Sequence, residues 1–296
     1  MTLTRRTFLK AAGAAGAVSV VGSAAAAEVS GAGSGVLVDT TLCVGCRGCE
    51  AACSEVNQLP EPAQAGAEAV FEQRRSTGPQ VFTVVNRASE PSPQGETRYA
   101  KSQCLHCLDP ACASACPVRA LEKTPEGPVV YHRNRCMGCR YCMVACPFGI
   151  PKYEYDKALP YVRKCTFCAG RQAEGKPPAC TEVCPSGALL FGERAQLLET
   201  ARTRIYQNPD RYLHRIYGEQ EAGGTSWLYL SDLPFESLGL PTGVANSSYP
   251  ELTKGALSVV PMVMTLWPPL LMSLYTFAKN RREPEAAGAQ KEDHHA

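Results

Sequence analysis

Histidine, tryptophan and net charge are all scarce in this chain of 296 residues: five histidines, two tryptophans and a formal charge of +2. A near-neutral balance without a basic stripe interleaved with aromatics excludes a nucleic-acid partner. No C-x-x-C pair is followed by histidine, so covalent c-type haem is excluded. There is no Gly-rich phosphate loop, no Ser/His/Asp arrangement and no nickel-type pair of C-x-x-C motifs at the two ends of the chain. No substrate-activating centre, and hence no catalytic residue, is expected. A hydrophobic share of 45% is ordinary and leaves room for one sizeable domain.

Cysteine is the abundant residue. Sixteen of them fall into four tight groups with none left over. They are Cys43, Cys46, Cys49 and Cys53; Cys104, Cys107, Cys112 and Cys116; Cys136, Cys139, Cys142 and Cys146; and Cys165, Cys168, Cys180 and Cys184. Groups one and three read C-x2-C-x2-C-x3-C, the spacing by which a short loop wraps a [4Fe–4S] cubane. Three thiolates within seven residues can reach three corners of one cluster. The fourth, in two-cluster proteins of this kind, goes to the other cluster. Cys116, Cys146 and Cys184 are each followed by proline, as in the bacterial ferredoxin run. At four thiolates per cubane the count predicts four clusters: a wire, rather than a single redox site.

Two other uses of cysteine compete. Dense disulfides staple small domains that lack a core, which a chain of this length does not need. Their spacings are also not repeated four times. Structural zinc is the better rival, because Cys165-x2-Cys168 with Cys180-x3-Cys184 could form a four-thiolate site. The other groups carry a third cysteine close to the pair, which zinc rarely needs, so zinc in the last group alone remains the alternative.

Residues 4–10 read Thr-Arg-Arg-Thr-Phe-Leu-Lys, followed by an alanine- and glycine-rich run and Ala25-Ala26-Ala27. This predicts a twin-arginine signal peptide over 1–27 with an A-x-A cleavage site. The apolar stretch is short and rich in small residues, which argues against a spanning anchor. Near the other end, Ala256 to Ala278 carries no charged residue, a length that crosses a hydrocarbon core of ~30 Å. Lys279, Arg281 and Arg282 follow it, while Lys254 is the nearest cation before it. The positive-inside rule then puts the tail, 279–296, in the cytoplasm and residues 28–255 on the periplasmic side of the inner membrane. Pro261, Pro268 and Pro269 predict kinks and packing against partner helices. The span contains no histidine, so it cannot ligate a b-type haem.

Val36–Val38 reads as a strand entering the first cysteine loop. Ala120–Glu122 and Pro128–Tyr131, around Thr124-Pro125-Glu126-Gly127, read as a hairpin. Ala188–Phe191 repeats the strand that follows a Cys-Pro pair. Residues 54–103 are expected to be an insertion, mostly loop, around a strand at Gln80–Asn86. Glu193 to Ile205 is expected to be a helix with Leu197, Leu198 and Ala201 on one face. Residues 206–255 read as an irregular docking segment. Arg47, Arg119, Arg135, Arg140, Arg163 and Lys164 lie near the motifs and are candidates for raising cluster potentials. His106 is expected to be a neighbour, not a ligand.

A wider set of motifs carries a family resemblance. They are Leu42-Cys43-Val44-Gly45-Cys46, Gln103-Cys104-Leu105-His106-Cys107, Cys139-Arg140-Tyr141-Cys142-Met143-Val144-Ala145-Cys146-Pro147 and Glu182-Val183-Cys184-Pro185 with Gly187-Ala188. Tyr217-Gly218-Glu219, Gly223-Gly224-Thr225 and Leu238-Gly239-Leu240-Pro241 extend them. With the signal, the single anchor and the histidine-bearing tail, the chain resembles the HybA-type iron–sulfur subunits of membrane-bound periplasmic nickel–iron hydrogenases over nearly its whole length. The cysteine motifs by themselves are shared with subunits of formate dehydrogenases and other molybdenum oxidoreductases, the alternative reading.

The resemblance implies an α+β fold of tandem ferredoxin-like (2×[4Fe–4S]) modules with pseudo-twofold pairing, plus one C-terminal transmembrane helix. It implies that group one pairs with group four and group two with group three. One cubane would then take Cys43, Cys46, Cys49 and Cys184, and its mate Cys165, Cys168, Cys180 and Cys53. A third would take Cys104, Cys107, Cys112 and Cys146, and the fourth Cys136, Cys139, Cys142 and Cys116. The implied role is a non-catalytic relay of electrons from the hydrogenase large and small subunits to a multi-spanning, quinone-reducing membrane subunit.

Overall fold

A computed structural model describes residues 33–62 and 69–292; the predicted signal, 1–27, lies outside the described residues. In chain order, β1 (Ser34–Asp39) leads into the first cysteine loop and α1 (Gly48–Val56) carries Cys49 and Cys53. The strands β2 (Val84–Arg87) and β3 (Tyr99–Ser102) follow, then α2 (Ala111–Ser114) and the pair β4 (Leu121–Lys123) and β5 (Val129–Tyr131). Next come α3 (Tyr141–Ala145), β6 (Lys152–Tyr153), β7 (Val162–Arg163), α4 (Ala169–Ala173) and α5 (Ala179–Glu182). The chain continues through β8 (Leu189–Glu193), α6 (Arg194–Gln207), β9 (Trp227–Leu230) and α7 (Tyr249–Glu292).

The largest sheet has the order β8-β1-β9. β1 runs antiparallel to β8, with Val36 opposite Phe191, and parallel to β9, with Val36 opposite Trp227. Because side chains alternate across a strand, Val36 and Val38 share one core with Trp227 and Tyr229. Leu37, Leu228 and Leu230 face the opposite way and pack on Leu197 and Ala201 of α6. The remaining strands form three two-stranded ribbons, β2-β3, β4-β5 and β6-β7.

Two expectations are corrected. Residues 206–255 are not merely a docking segment, since they supply β9, whose four residues are all buried, and the buried Tyr217. Four apolar residues in a row carry no alternation, and the partner strand β1 is most of the chain away, so nothing local announces β9. The insertion carries the antiparallel ribbon β2-β3 in place of one strand at 80–86. Tyr99–Ser102 escapes notice because its inner pair, Ala100 and Lys101, is buried consecutively.

Residues Tyr249–Lys279 of α7 have a mean hydropathy of 1.6 and form a helix long and apolar enough to cross a membrane. From residue 251 to 279 its side chains are exposed. The helix continues through Pro261, Pro268 and Pro269. Its foot is tied to the second cysteine group, where Ser248 Oγ donates to Asp109 Oδ2 at 2.5 Å and α2 lies alongside α7.

Candidate functional site

The cysteine loops come in two backbone forms. In groups one and three, Gly45 (φ 69°) and Arg47 (φ 60°) correspond to Gly138 (φ 75°) and Arg140 (φ 60°), and each loop runs into α1 or α3. Positive φ next to helical backbone turns successive N–H groups toward one centre, the concavity that holds anionic groups. In groups two and four, Pro110-Ala111-Cys112 and Pro178-Ala179-Cys180 start the one-turn helices α2 and α5. His106 (φ 49°) and Phe167 (φ 55°) hold equivalent places, one residue before the second cysteine of each group. Their rings stack on each other at 4.9 Å.

Chain neighbours do not all stay together. Cys43, Cys46 and Cys49 line one cavity with Cys184, walled by Val38, Val85 and Leu189. Cys136, Cys139 and Cys142 line another with Cys116, walled by Leu121, Tyr131 and Val162. The thiols bearing on Cys107 are those of Cys104, Cys146 and Cys112. Those bearing on Cys53 are Cys180 and Cys168, and Cys165 in turn feels Cys53.

Burial dominates their acidity. It pushes the Cys49 and Cys112 thiols up to about 12 and those of Cys53 and Cys142 up to about 11, with neighbouring thiols adding to the effect. Cys107 and Cys165 are held well above the usual thiol range, again by burial first. Thiolates in such places need an adjacent cation, which coordinated iron supplies by deprotonating the thiol outright. Backbone N–H groups point at sulfur as well: Ala120 N donates to Cys116 Sγ at 3.2 Å and Phe167 N to Cys165 Sγ at 3.4 Å. The donor set fits [4Fe–4S] cubanes.

The cradles are contiguous. Cys49 and Cys184 pack against the core that contains Cys180. Cys53 and Cys165 share a buried contact set with Cys104, and Cys112 shares one with Cys142. Cys46 and Cys139, in the first and last cradles of that series, are the exposed cysteines.

Of the cations expected to matter, Arg47 and Arg140 line the two cavities and Lys164 is buried, donating to Val129 O at 2.5 Å and Cys165 O at 3.1 Å. Arg135 instead reaches outward to Glu122 at 3.5 Å. Two further cations lie outside the cysteine motifs. Lys101 is buried between the first two cradles, and Lys123 is held among His106 O, Gly127 O and Ser226 Oγ. Both lie on short ribbon strands, outside the cysteine motifs, so spacing offers no signal for them. His106 is buried and accepts from Val129 N through Nδ1 at 2.9 Å.

These cradles on short strands and one-turn helices define a ferredoxin-type [4Fe–4S] protein. Comparison with known families agrees: the 4Fe-4S dicluster domain matches twice, over residues 42–120 and 96–194. Two dicluster domains with sixteen cysteines provide for four clusters. The Hydrogenase-2 operon protein HybA of Shigella flexneri is 38% identical over 81% of this chain and 84% of its own length. A protein of Nitratidesulfovibrio vulgaris is 48% identical over 98% of this chain and 80% of its own. The nitrate-inducible formate dehydrogenase iron-sulfur subunit of Escherichia coli is 33% identical, covering 75% of this chain and 76% of that one. The chain belongs to the HybA family of iron–sulfur electron-transfer subunits, to which the formate dehydrogenase subunits are also related.

Proposed function

We infer that this chain is a non-catalytic subunit that relays electrons through four [4Fe–4S] clusters from a periplasmic nickel–iron hydrogenase to a quinone-reducing integral membrane subunit. The observation that carries the relay is contiguity: each cradle shares packed side chains with the next, from the exposed Cys46 to the exposed Cys139. The ligand sets are Cys43, Cys46, Cys49 and Cys184; Cys53, Cys165, Cys168 and Cys180; Cys104, Cys107, Cys112 and Cys146; and Cys116, Cys136, Cys139 and Cys142. Support for this crossing comes from the two cavities and from the stacked His106 and Phe167, equivalent positions of two groups meeting face to face as a pseudo-twofold arrangement requires. With Cys184 turned to the first cavity, the last group does not close a four-thiolate site by itself, and its fourth thiol is that of Cys53.

The domain plan is a twin-arginine signal at 1–27, a periplasmic cluster domain at 28–255, a membrane span at 256–278 and a cytoplasmic tail at 279–296. An export path for folded protein suits clusters built before export. The hydrogenase assignment rests on the 38% identity to HybA. The 33% identity to a formate dehydrogenase subunit favours a molybdenum enzyme as the second reading.

Detergent purification from the native membrane separates the two. The expected result is about sixteen iron and sixteen sulfide per chain, with a nickel–iron large and small subunit and a multi-spanning subunit co-purifying. A molybdenum enzyme in their place overturns the hydrogenase assignment, and stoichiometric zinc overturns the four-cluster count.

A further inference from the structure

Lys101 has one of the least favourable surroundings a lysine can occupy. It is 2% exposed, on β3, and lies 4.6 Å from the centre of the Trp227 ring. Its ammonium donates to Gln103 Oε1 at 3.0 Å. That acceptor is a neutral amide. The amide is itself committed, since Gln103 Nε2 donates to Tyr229 Oη and Tyr229 Oη donates to Lys101 O, both at 2.8 Å. The buried carboxylate on the neighbouring helix, Glu50, is already engaged by Arg47, Arg75 and the N–H of Val85. A buried ammonium that faces no carboxylate of its own is strongly unfavourable unless other negative charge compensates it.

That charge lies on two sides. Lys101 lines the cavity of Cys43, Cys46, Cys49 and Cys184. The thiols that bear most on its ammonium are those of Cys180, Cys49, Cys165 and Cys53, three of which belong to the neighbouring cradle. Lys123 and Lys164 bear on the third cradle, through Cys107, Cys104 and Cys112, and Lys164 also donates to Cys165 O at 3.1 Å, while only Lys101 among the three lines the first cavity.

We propose that Lys101 is a single buried counter-charge shared by the two clusters held at Cys43/Cys46/Cys49/Cys184 and Cys53/Cys165/Cys168/Cys180, raising the reduction potentials of both. This rests on the ligand sets inferred above. Reduction adds one negative charge to a cubane, and a fixed cation in low dielectric stabilises the reduced form more than the oxidised one. A cation between two clusters lowers the energy of an electron on either, so entry into that half of the wire is favoured. Lys101 is a positioning residue for charge and makes no bond to iron.

The test is an EPR-monitored redox titration of the full-length, cluster-loaded protein as wild type, Lys101→Met and Lys101→Arg. In Lys101→Met, two of the four midpoint potentials should move to more negative values while the other two stay. Lys101→Arg, which keeps the charge, should return both toward wild type. Unmoved midpoints, or movement of one alone, overturn the shared role. Should Lys101→Met fail to load fully, iron content decides. Loss of both neighbouring clusters in Lys101→Met with full loading of Lys101→Arg supports the proposal, whereas equal loss in both variants makes the residue a packing element and overturns it. Failure of the ligand sets themselves is read separately, from Cys53→Ala in an otherwise native chain.

Discussion

Cys184 lines the same cavity as Cys43, although the whole of the second and third cysteine groups lies between them in the chain. The half-buried Cys184 and Cys43 are thus brought together by the β8-β1 pairing, which sets Val38 opposite Leu189 just beside both loops. A cluster bound there would bridge the first and last cysteine groups, and metal binding and tertiary folding would then be linked.

Cys184→Ala should remove the cluster of Cys43, Cys46 and Cys49, about a quarter of the iron, and leave the other three. Cys53→Ala should perturb the cluster of Cys165, Cys168 and Cys180, and spare that of its own sequence neighbours. Iron analysis with EPR of each variant reads this directly. Loss of the Cys43-group signal in Cys53→Ala would show that the crossing is wrong.

Removal of residues 256–296 should yield a soluble, cluster-loaded protein, because every cysteine precedes the cut. Hydrogen-to-viologen turnover in the complex should persist, while hydrogen-to-quinone turnover in membranes falls steeply. The reason is the foot of α7, tied through Ser248 to Asp109 beside the second cysteine group. Undiminished quinone turnover would reduce the helix to a tether, and collapse of dye turnover would assign it to assembly.

Arg98 and Asp232 form a buried ion pair, Nη2 to Oδ2 at 2.7 Å, that fastens the end of the insertion to the segment after β9. Among the described residues, Asp232→Ala leaves the guanidinium with the exposed Glu96 at 2.7 Å as its acidic partner. The expected loss is about 3 kcal/mol, the lower end for breaking a buried pair. It would be measured as a lower denaturant midpoint for bleaching of the clusters. An unchanged midpoint would mean that Glu96 alone suffices.

Gly218 has φ +91°, and a Cβ there would stand 2.3 Å from Trp227 O and 2.5 Å from Thr225 Oγ1. Backbone strain of about 1–3 kcal/mol and overlap of about 1–3 kcal/mol should both fall on Gly218→Ala. The same bleaching assay should show a larger loss than a surface control such as Gly175→Ala, which has positive φ but open space around its Cβ. Equal losses would confine the effect to φ.

The sequence by itself determined the chemistry: cysteine spacing is a local property, and a loop of a few residues that wraps a cubane must declare itself in consecutive positions. The strands at Val36–Val38 and Ala188–Phe191, the hairpin around Thr124–Gly127 and the helix with Leu197 and Ala201 inward were legible for the same reason. Only the tertiary structure decided what depends on distant neighbours. β9 becomes an edge strand of the main sheet because the central β1 offers it a buried parallel partner, and Ala100-Lys101 forgoes alternation because its lysine is turned toward thiols of the first and last cysteine groups. The charge of Lys101 is tolerable in the interior only where anionic clusters converge, and their convergence is written in no single stretch of the chain.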